Sequence, residues 1–170
     1  QGILAVIRMC DSLLETMLEG SGMLIVLEAV QDPGNMGAII RTADAAGASG
    51  VLLSKGCVDI YNPKTLRSTM GSVFHLPIVI SPDLESDIKE MKNRGFKVLA
   101  AHLKGERNHF EADMGGSIAI IIGNEANGIT DRTASIADEI VKIPMPGKAE
   151  SLNASVAAAV LMYEAVRQKA

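Results

Sequence analysis

The sequence predicts an α/β domain with a mostly parallel six-stranded sheet and helices on both faces. Two observations carry that expectation. Short apolar runs of strand length alternate along the chain with helix-length amphipathic or charged segments. Several of the runs are apolar without alternation, notably Met23–Ala29 and Ser117–Ile122, as expected of strands covered on both faces. The chain has 170 residues, 48% of them hydrophobic, enough for one domain with a real core.

Taken in order, Asp11–Glu19 reads as a short helix with Leu13, Leu14, Met17 and Leu18 on one face. Asp11 or Ser12 suits its N-cap, and Gly20-Ser21-Gly22 ends it. Met23–Ala29 is the first strand. A loop with Pro33 and Gly34 follows, then a helix burying Ile39, Ile40, Ala43 and Ala46 and stopped by Gly47. Val51–Leu53 is the second strand. Asn62-Pro63-Lys64 opens a helix through Thr69, with proline in its first turn. Leu76–Ile80 is the third strand, and Asp83–Arg94 a charged surface helix ended by Gly95. Phe96–Ala101 is the fourth strand, and 102–116 reads as polar and irregular. Ser117–Ile122 is the fifth strand, followed by a tight loop, Gly123–Gly128. Thr130–Ala137 is a short helix capped by Thr130 or Asp131. Glu139–Ile143 is the sixth strand. The last helix is expected to bury Leu152, Val156, Val160 and Tyr163.

Ligands of open α/β sheets collect at the carboxyl ends of strands. Three loops are placed there: Gln31–Gly37, Gly123–Gly128 and Pro144–Ser151. The last is rigid with proline and leads to a helix mouth carrying Ser151 and Asn153, a natural ligand position or simply a capped helix. The chemistry of the common nucleotide folds is missing. Neither G-x-G-x-x-G nor G-x-x-x-x-G-K-[ST] occurs, which argues against a dinucleotide-binding dehydrogenase or a P-loop enzyme. His75, His102 and His109 are scattered, and Glu106-x-x-His109 lacks a second ligand pair, so no metal is expected. Gly-x-Ser-x-Gly is also absent. Arg41 stands out in a helix of small and apolar residues, on or near the face of Gly34 and Gly37. It is either a solvated arginine or, with Asn35, part of an anion site at the helix entrance. Glu125, among asparagines and glycines, is either a turn residue or an acceptor for a polar ligand.

The formal net charge is −4 and the isoelectric point about 5.4. That argues mildly against a stand-alone nucleic-acid binder, while leaving room for a local basic patch. Cys10 and Cys57 lie far apart without ligand spacing and are expected to be free thiols. No apolar run reaches membrane-spanning length and no secretory signal appears, so a cytoplasmic protein with no membrane partner is expected. The opening Gln1-Gly2-Ile3 without methionine reads as a cut inside a longer chain. Residues 1–22 would then be a linker and short helix, and 23–170 the domain proper.

Three stretches coincide with a known pattern: Asn35-x-Gly37-x-x-x-Arg41-Thr42-Ala43; Ile122-Gly123-Asn124-Glu125-x-x-Gly128-Ile129; and Ile143-Pro144-Met145-x-Gly147-x-x-x-Ser151-Leu152-Asn153-x-Ser155-x-Ala157. Together they resemble the three motifs of the SpoU (TrmH-like) family of RNA ribose 2′-O-methyltransferases, of the SPOUT class, in order and spacing over nearly the whole chain. The resemblance implies a C-terminal trefoil knot, S-adenosylmethionine as cofactor, and a homodimer with its sites near the dimer interface. It also implies an RNA substrate, ribosomal before transfer RNA, selected by an N-terminal domain outside this sequence. It makes Arg41 the catalytic arginine, acting as base or through its charge, with Asn35, Glu125, Ser151 and Asn153 as the other catalytic-site residues. Ala101, Gly123, Ile143, Met145 and Leu152 would hold the cofactor. A non-catalytic RNA- or cofactor-binding module of the same fold is the competing expectation.

Overall fold

The computed structural model describes Gly2, Val6 and residues 12–170. The expected cap at Asp11 and the thiol of Cys10 lie outside the described residues. Among the described residues all strand pairings are parallel, and seven strands stand in the order β3-β2-β1-β6-β4-β7-β5. They are β1 (Met23–Leu27), β2 (Gly50–Leu53), β3 (Ile78–Ile80), β4 (Lys97–Ala101), β5 (Arg107–Asn108), β6 (Ile118–Ile122) and β7 (Glu139–Lys142). Six were expected. The seventh, β5, is two polar residues on the outer edge of β7, inside the stretch read as irregular. Two residues carry no hydrophobic pattern, so only the pairing reveals them.

The central strands β1 and β6 are buried at every position, as their unbroken apolar runs require. Their side chains alternate between two cores. Met23, Ile25 and Leu27 join Ile39, Ile40 and Ala43 of α2 (Pro33–Ala45) on one face. Leu24 and Val26 join Met17 and Leu18 of α1 (Leu14–Leu18), and Ile88 and Met91 of α4 (Leu84–Asn93), on the other.

Local chemistry sets most helix ends. Asp32 caps α2, its Oδ1 accepting from the Asn35 backbone N–H at 2.8 Å, with Pro33 at the first helical position. Asn62 caps α3 (Pro63–Thr69), and Thr130 caps α5 (Asp131–Ile136). Helix α1 is shorter than expected. Its cap position is Leu13, which bonds nothing through its side chain and is exposed. Gly37 serves packing: a Cβ there would meet Ser68 Cβ at 2.3 Å and the Thr65 carbonyl at 2.9 Å, so α2 and α3 cross where only hydrogen fits.

The last helix, α6 (Ala154–Lys169), buries a different face from the one expected. Ala158, Leu161, Met162 and Ala165 pack into the α2 core, whereas Val156 and Tyr163 are about half exposed, Val160 is half-buried, and Leu152 precedes the helix. Two alanines, Ala158 and Ala165, flank Leu161 and Met162 in the buried stripe and let the helix lie close, and the face runs through these four rather than through Val156 and Tyr163.

The 102–116 segment runs across the end of β7. A Cβ on Gly105 would strike the Val141–Lys142 backbone within 3 Å. Farther along, Gln168 of α6 accepts from Met114 N–H at 2.8 Å and donates to the Ala112 carbonyl at 2.9 Å. The segment is thus tied to β7 and to the final helix.

Candidate functional site

With the strands parallel, the carboxyl ends of β1, β6, β4 and β7 share one edge, and the three stretches singled out above meet there; the first is shorter as a loop than expected, since Asp32 caps α2 and Pro33–Gly37 form its opening turn. Side chains join them. Glu125 Oε1 accepts from the Asp32 backbone N–H at 3.0 Å and from Asn35 Nδ2 at 3.1 Å, and Oε2 accepts from the Gln31 N–H at 3.2 Å. Asn35 Oδ1 in turn accepts from Asn153 Nδ2 at 2.9 Å. Asn153 also caps α6, its Oδ1 accepting from the N–H groups of Ser155 and Val156. Residues ninety or more positions apart are thereby coupled at one edge. Partial burial works against the Glu125 charge, but the donors from Asn35, Asp32 and Gln31 outweigh it and hold the carboxyl below its ordinary value.

An anion does sit at the entrance of α2, and it is the protein's own Glu125. Arg41 lies elsewhere. It is six residues beyond Asn35, about 9 Å along the helix and on a different face. It shares its face with Gly37, which packs on α3. Its side chain is exposed and does not line the cleft described next.

That cleft, of about 220 Å³, opens between the ends of β4, β6 and β7 and the mouth of α6. Ala101, Gly123, Ile143, Met145 and Leu152 all line it, and so do Glu125 and Ser151. Asn35 and Asn153 support its rim through Glu125 rather than lining it. Gly123 is required by close approach: a Cβ would lie 2.1 Å from the Gly128 carbonyl carbon and 2.2 Å from the Ile129 nitrogen. Gly128, at φ +69, completes the tight loop through a two-way backbone pairing with Asn124 at 2.9 Å each way. The wall is main chain and small or apolar side chains with a few polar groups, Asn124, Glu125, Asn127 and Ser151 among them, the lining expected of a slot for a flat polar ligand.

Two contributors escaped the sequence reading. Asn124 braces the loop. Its Nδ2 donates to the Ala29 carbonyl at 2.8 Å, and its Oδ1 accepts from the Ala126 and Asn127 N–H groups. Its place beside Glu125 in a turn was the available signal. His102 also lines the cleft, with Nδ1 accepting from the Lys104 N–H at 3.1 Å. A lone histidine after a strand carries no pattern to find it by.

Ion pairs stand at both edges of the sheet, with Lys64–Asp32 and Arg132–Glu85 at the carboxyl edge. Near the amino ends of β4 and β7, Lys92 pairs with Asp138 at 2.8 Å, and Lys97 and Arg107 pair with Glu139 at 2.9 Å. At the carboxyl edge Lys55, Lys104 and Lys148 have no carboxylate partner among the described residues. Among the described residues no His/Cys/Asp/Glu cluster could hold a metal ion, and no helix is long and apolar enough to cross a membrane.

Comparison with known proteins gives this edge a context. Over 163 residues the chain is 42% identical to the 23S rRNA (guanosine(2553)-2′-O)-methyltransferase RlmP of Bacillus subtilis (strain 168), covering 96% of this chain and 64% of that protein. The crystal structure of the SpoU methyltransferase AviRb from Streptomyces viridochromogenes superposes with a TM-score of 0.89 at 33% identity, covering 95% of this chain and 65% of that one. An AdoMet-bound rRNA methyltransferase from Sinorhizobium meliloti superposes with a TM-score of 0.79 at 38% identity, covering 86% and 56%. The chain spans less than two thirds of the length of each of these relatives. The model of the SpoU rRNA Methylase family matches residues 22–163, so all three joined loops fall within it, and the chain belongs to that family.

Proposed function

We propose that this chain is the catalytic domain of an S-adenosylmethionine-dependent methyltransferase that modifies a ribose 2′-hydroxyl of RNA, ribosomal RNA before transfer RNA. The observation that carries the reading is the Asn153–Asn35–Glu125 chain of hydrogen bonds, which joins three strand-end loops beside a cleft walled by main chain. The 23S rRNA named for the Bacillus subtilis relative, and the AdoMet bound in the Sinorhizobium meliloti rRNA methyltransferase, support it.

The cleft fits the cofactor on its own chemistry. Gly123 lets the Gly128–Ile129 backbone close against the end of β6, which keeps main chain in the cleft wall, and Ala101, Ile143, Met145 and Leu152 supply apolar walls. S-adenosylmethionine bound there supplies a methyl group on a sulfonium, a leaving group that needs no metal. The chain's residues do the rest. Asn35 and Asn153 orient the rim against the ribose, while Glu125 keeps Asn35 from rotating. Ser151 presents a hydroxyl at the cleft wall. Arg41 acts through the charge of its guanidinium, fixing an RNA phosphate and stabilising the ribose 2′-oxygen as its proton leaves to water. The free lysines of the carboxyl edge favour a polyanion on that side of an otherwise acidic chain.

Two further features belong to this reading. The tie of 102–116 to β7 and to Gln168 is what a knotted C-terminal segment would need. The half-exposed Val156 and Tyr163 give α6 an apolar outer face suited to a homodimer. The protein is expected to work in the cytoplasm.

The test is transfer of labelled methyl from S-adenosylmethionine to 23S rRNA and to a tRNA pool, with the modified nucleotide mapped. A 2′-O-methylated ribose in ribosomal RNA is expected. Label in tRNA alone would move the substrate, and no transfer with bound cofactor would favour the non-catalytic module.

A further inference from the structure

A second cleft, of about 610 Å³, lies at the same edge on the other side of the Gly123–Gly128 loop. Its floor is the carboxyl ends of β1, β2 and β3. Asn124, Ala126, Asn127 and Gly128 line both clefts, so the loop is a shared ridge. The methyltransferase reading assigns no role to this space.

Its side chains are unlike those of the first cleft. The carboxylates are occupied. Buried Glu28 accepts from Thr130 N–H, Thr130 Oγ1 and Thr133 Oγ1 at 2.7–3.0 Å. Asp83 accepts from the Ser86 N–H, capping α4. Glu85 pairs with Arg132. Lys55 is the lining charge left without a partner among the described residues, and it is exposed. Arg132, with 78% of its side chain exposed, presents a guanidinium plane beside its ion-pair partner Glu85. Asn127 offers its side-chain amide from the ridge.

An exposed guanidinium plane, an uncompensated ammonium and an exposed amide match three parts of a nucleotide. They suit a base face to stack on, a phosphate to neutralise and a base edge to hydrogen-bond. We infer that the second cleft receives the nucleotide flanking the methylated one on the same RNA strand, its base against Arg132 and its phosphate at Lys55. The inference rests on the methyltransferase reading. The strand would bridge the 124–128 ridge, with the target ribose on the cofactor side and its neighbour splayed onto the other, as unpaired RNA is commonly read.

The experiment uses the complete protein and in vitro transcribed 23S rRNA, comparing wild type with Lys55→Glu and Arg132→Lys. Calorimetry with S-adenosylmethionine and circular dichroism come first and should be unchanged, since neither side chain lines the cofactor cleft. Lys55→Glu is expected to raise KM for RNA about tenfold at constant kcat and to flatten the salt dependence of binding by about one ion. Arg132→Lys keeps the charge but loses the plane, and is expected to raise KM about threefold to tenfold with the salt dependence intact. A photoreactive thio-nucleotide placed next to the mapped site should crosslink within 54–56 or 126–132. KM within twofold of wild type for both variants, or crosslinks confined to other segments, overturns the inference. Absence of wild-type transfer overturns the methyltransferase reading instead.

Discussion

Replacing Glu125 with alanine removes the acceptor that ties Gln31, Asp32 and Asn35 to the β6 loop. Hydrogen bonds to a charged group contribute about 1.5–3 kcal/mol each when buried, but these lie at an exposed edge where water replaces much of the loss. A total near 1.5 kcal/mol follows, which for a domain of this size lowers Tm by about 3–6 °C. Glutamine should cost less. Its carbonyl can keep the two bonds made by Oε1, while its NH₂ faces the Gln31 N–H donor. Because Glu125 and Asn153 both act on Asn35, a double-mutant cycle with Asn153→Ala should show coupling of about 0.5–1 kcal/mol between side chains that do not touch. The pH dependence has a definite sign. The folded carboxyl sits below its ordinary value, so its stabilisation is complete above about pH 4.3 and is lost as pH falls through the folded pKa. Methyl transfer should drop by about 100-fold in the alanine variant, as expected when reacting groups lose their alignment. Thermal melts within 1 °C of wild type together with transfer within twofold would refute the idea that these bonds organise the site.

Gly123→Ala places a Cβ within 2.2 Å of the Gly128–Ile129 backbone, so it should cost at least about 2 kcal/mol by chemical denaturation and abolish S-adenosylmethionine binding. Glu164, beside the Arg167 guanidinium with bonds at 2.7 and 2.9 Å, is held down at about 2 against its ordinary 4.5. Glu164→Gln should lower Tm by about 2–4 °C at pH 7. That difference should shrink as pH falls from about 4.5 towards 2, because the depressed carboxylate stabilises only while ionised. Tyr163→Asp, placing a charge on the half-exposed face of α6, should convert a dimer to a monomer by light scattering at micromolar concentration. An unchanged mass would remove α6 from the interface.

The alternation of strands and helices was legible because buried parallel strands need unbroken apolar runs, and Met23–Leu27 and Ile118–Ile122 have them. The helix openings at Asn62 and Thr130 were legible, since one side chain decides each, whereas the cap at Asp32 was not, because Pro33–Gly37 read as a loop and are the first turn of α2. The face of α6 was not, because alanine can be core or surface and its choice here is made by α2. The five residues expected to hold the cofactor converge on one cleft, since each sits at a strand end or in the loop just past one and the parallel sheet gathers those ends. Spacing could not reveal that Glu125 fills the entrance of α2, or that Arg41 stands outside the cleft. Both depend on how the β6 loop folds back on the β1 loop.

The division of labour between cleft and arginine is the centre of this account, and Arg41→Ala tests it most directly. Calorimetric titration with S-adenosylmethionine, followed by single-turnover transfer to 23S rRNA, separates binding from chemistry. Because Arg41 does not line the cleft, cofactor affinity within about threefold of wild type is expected, with transfer abolished. A folded variant that no longer binds the cofactor, or one that still transfers methyl at the wild-type rate, would contradict it.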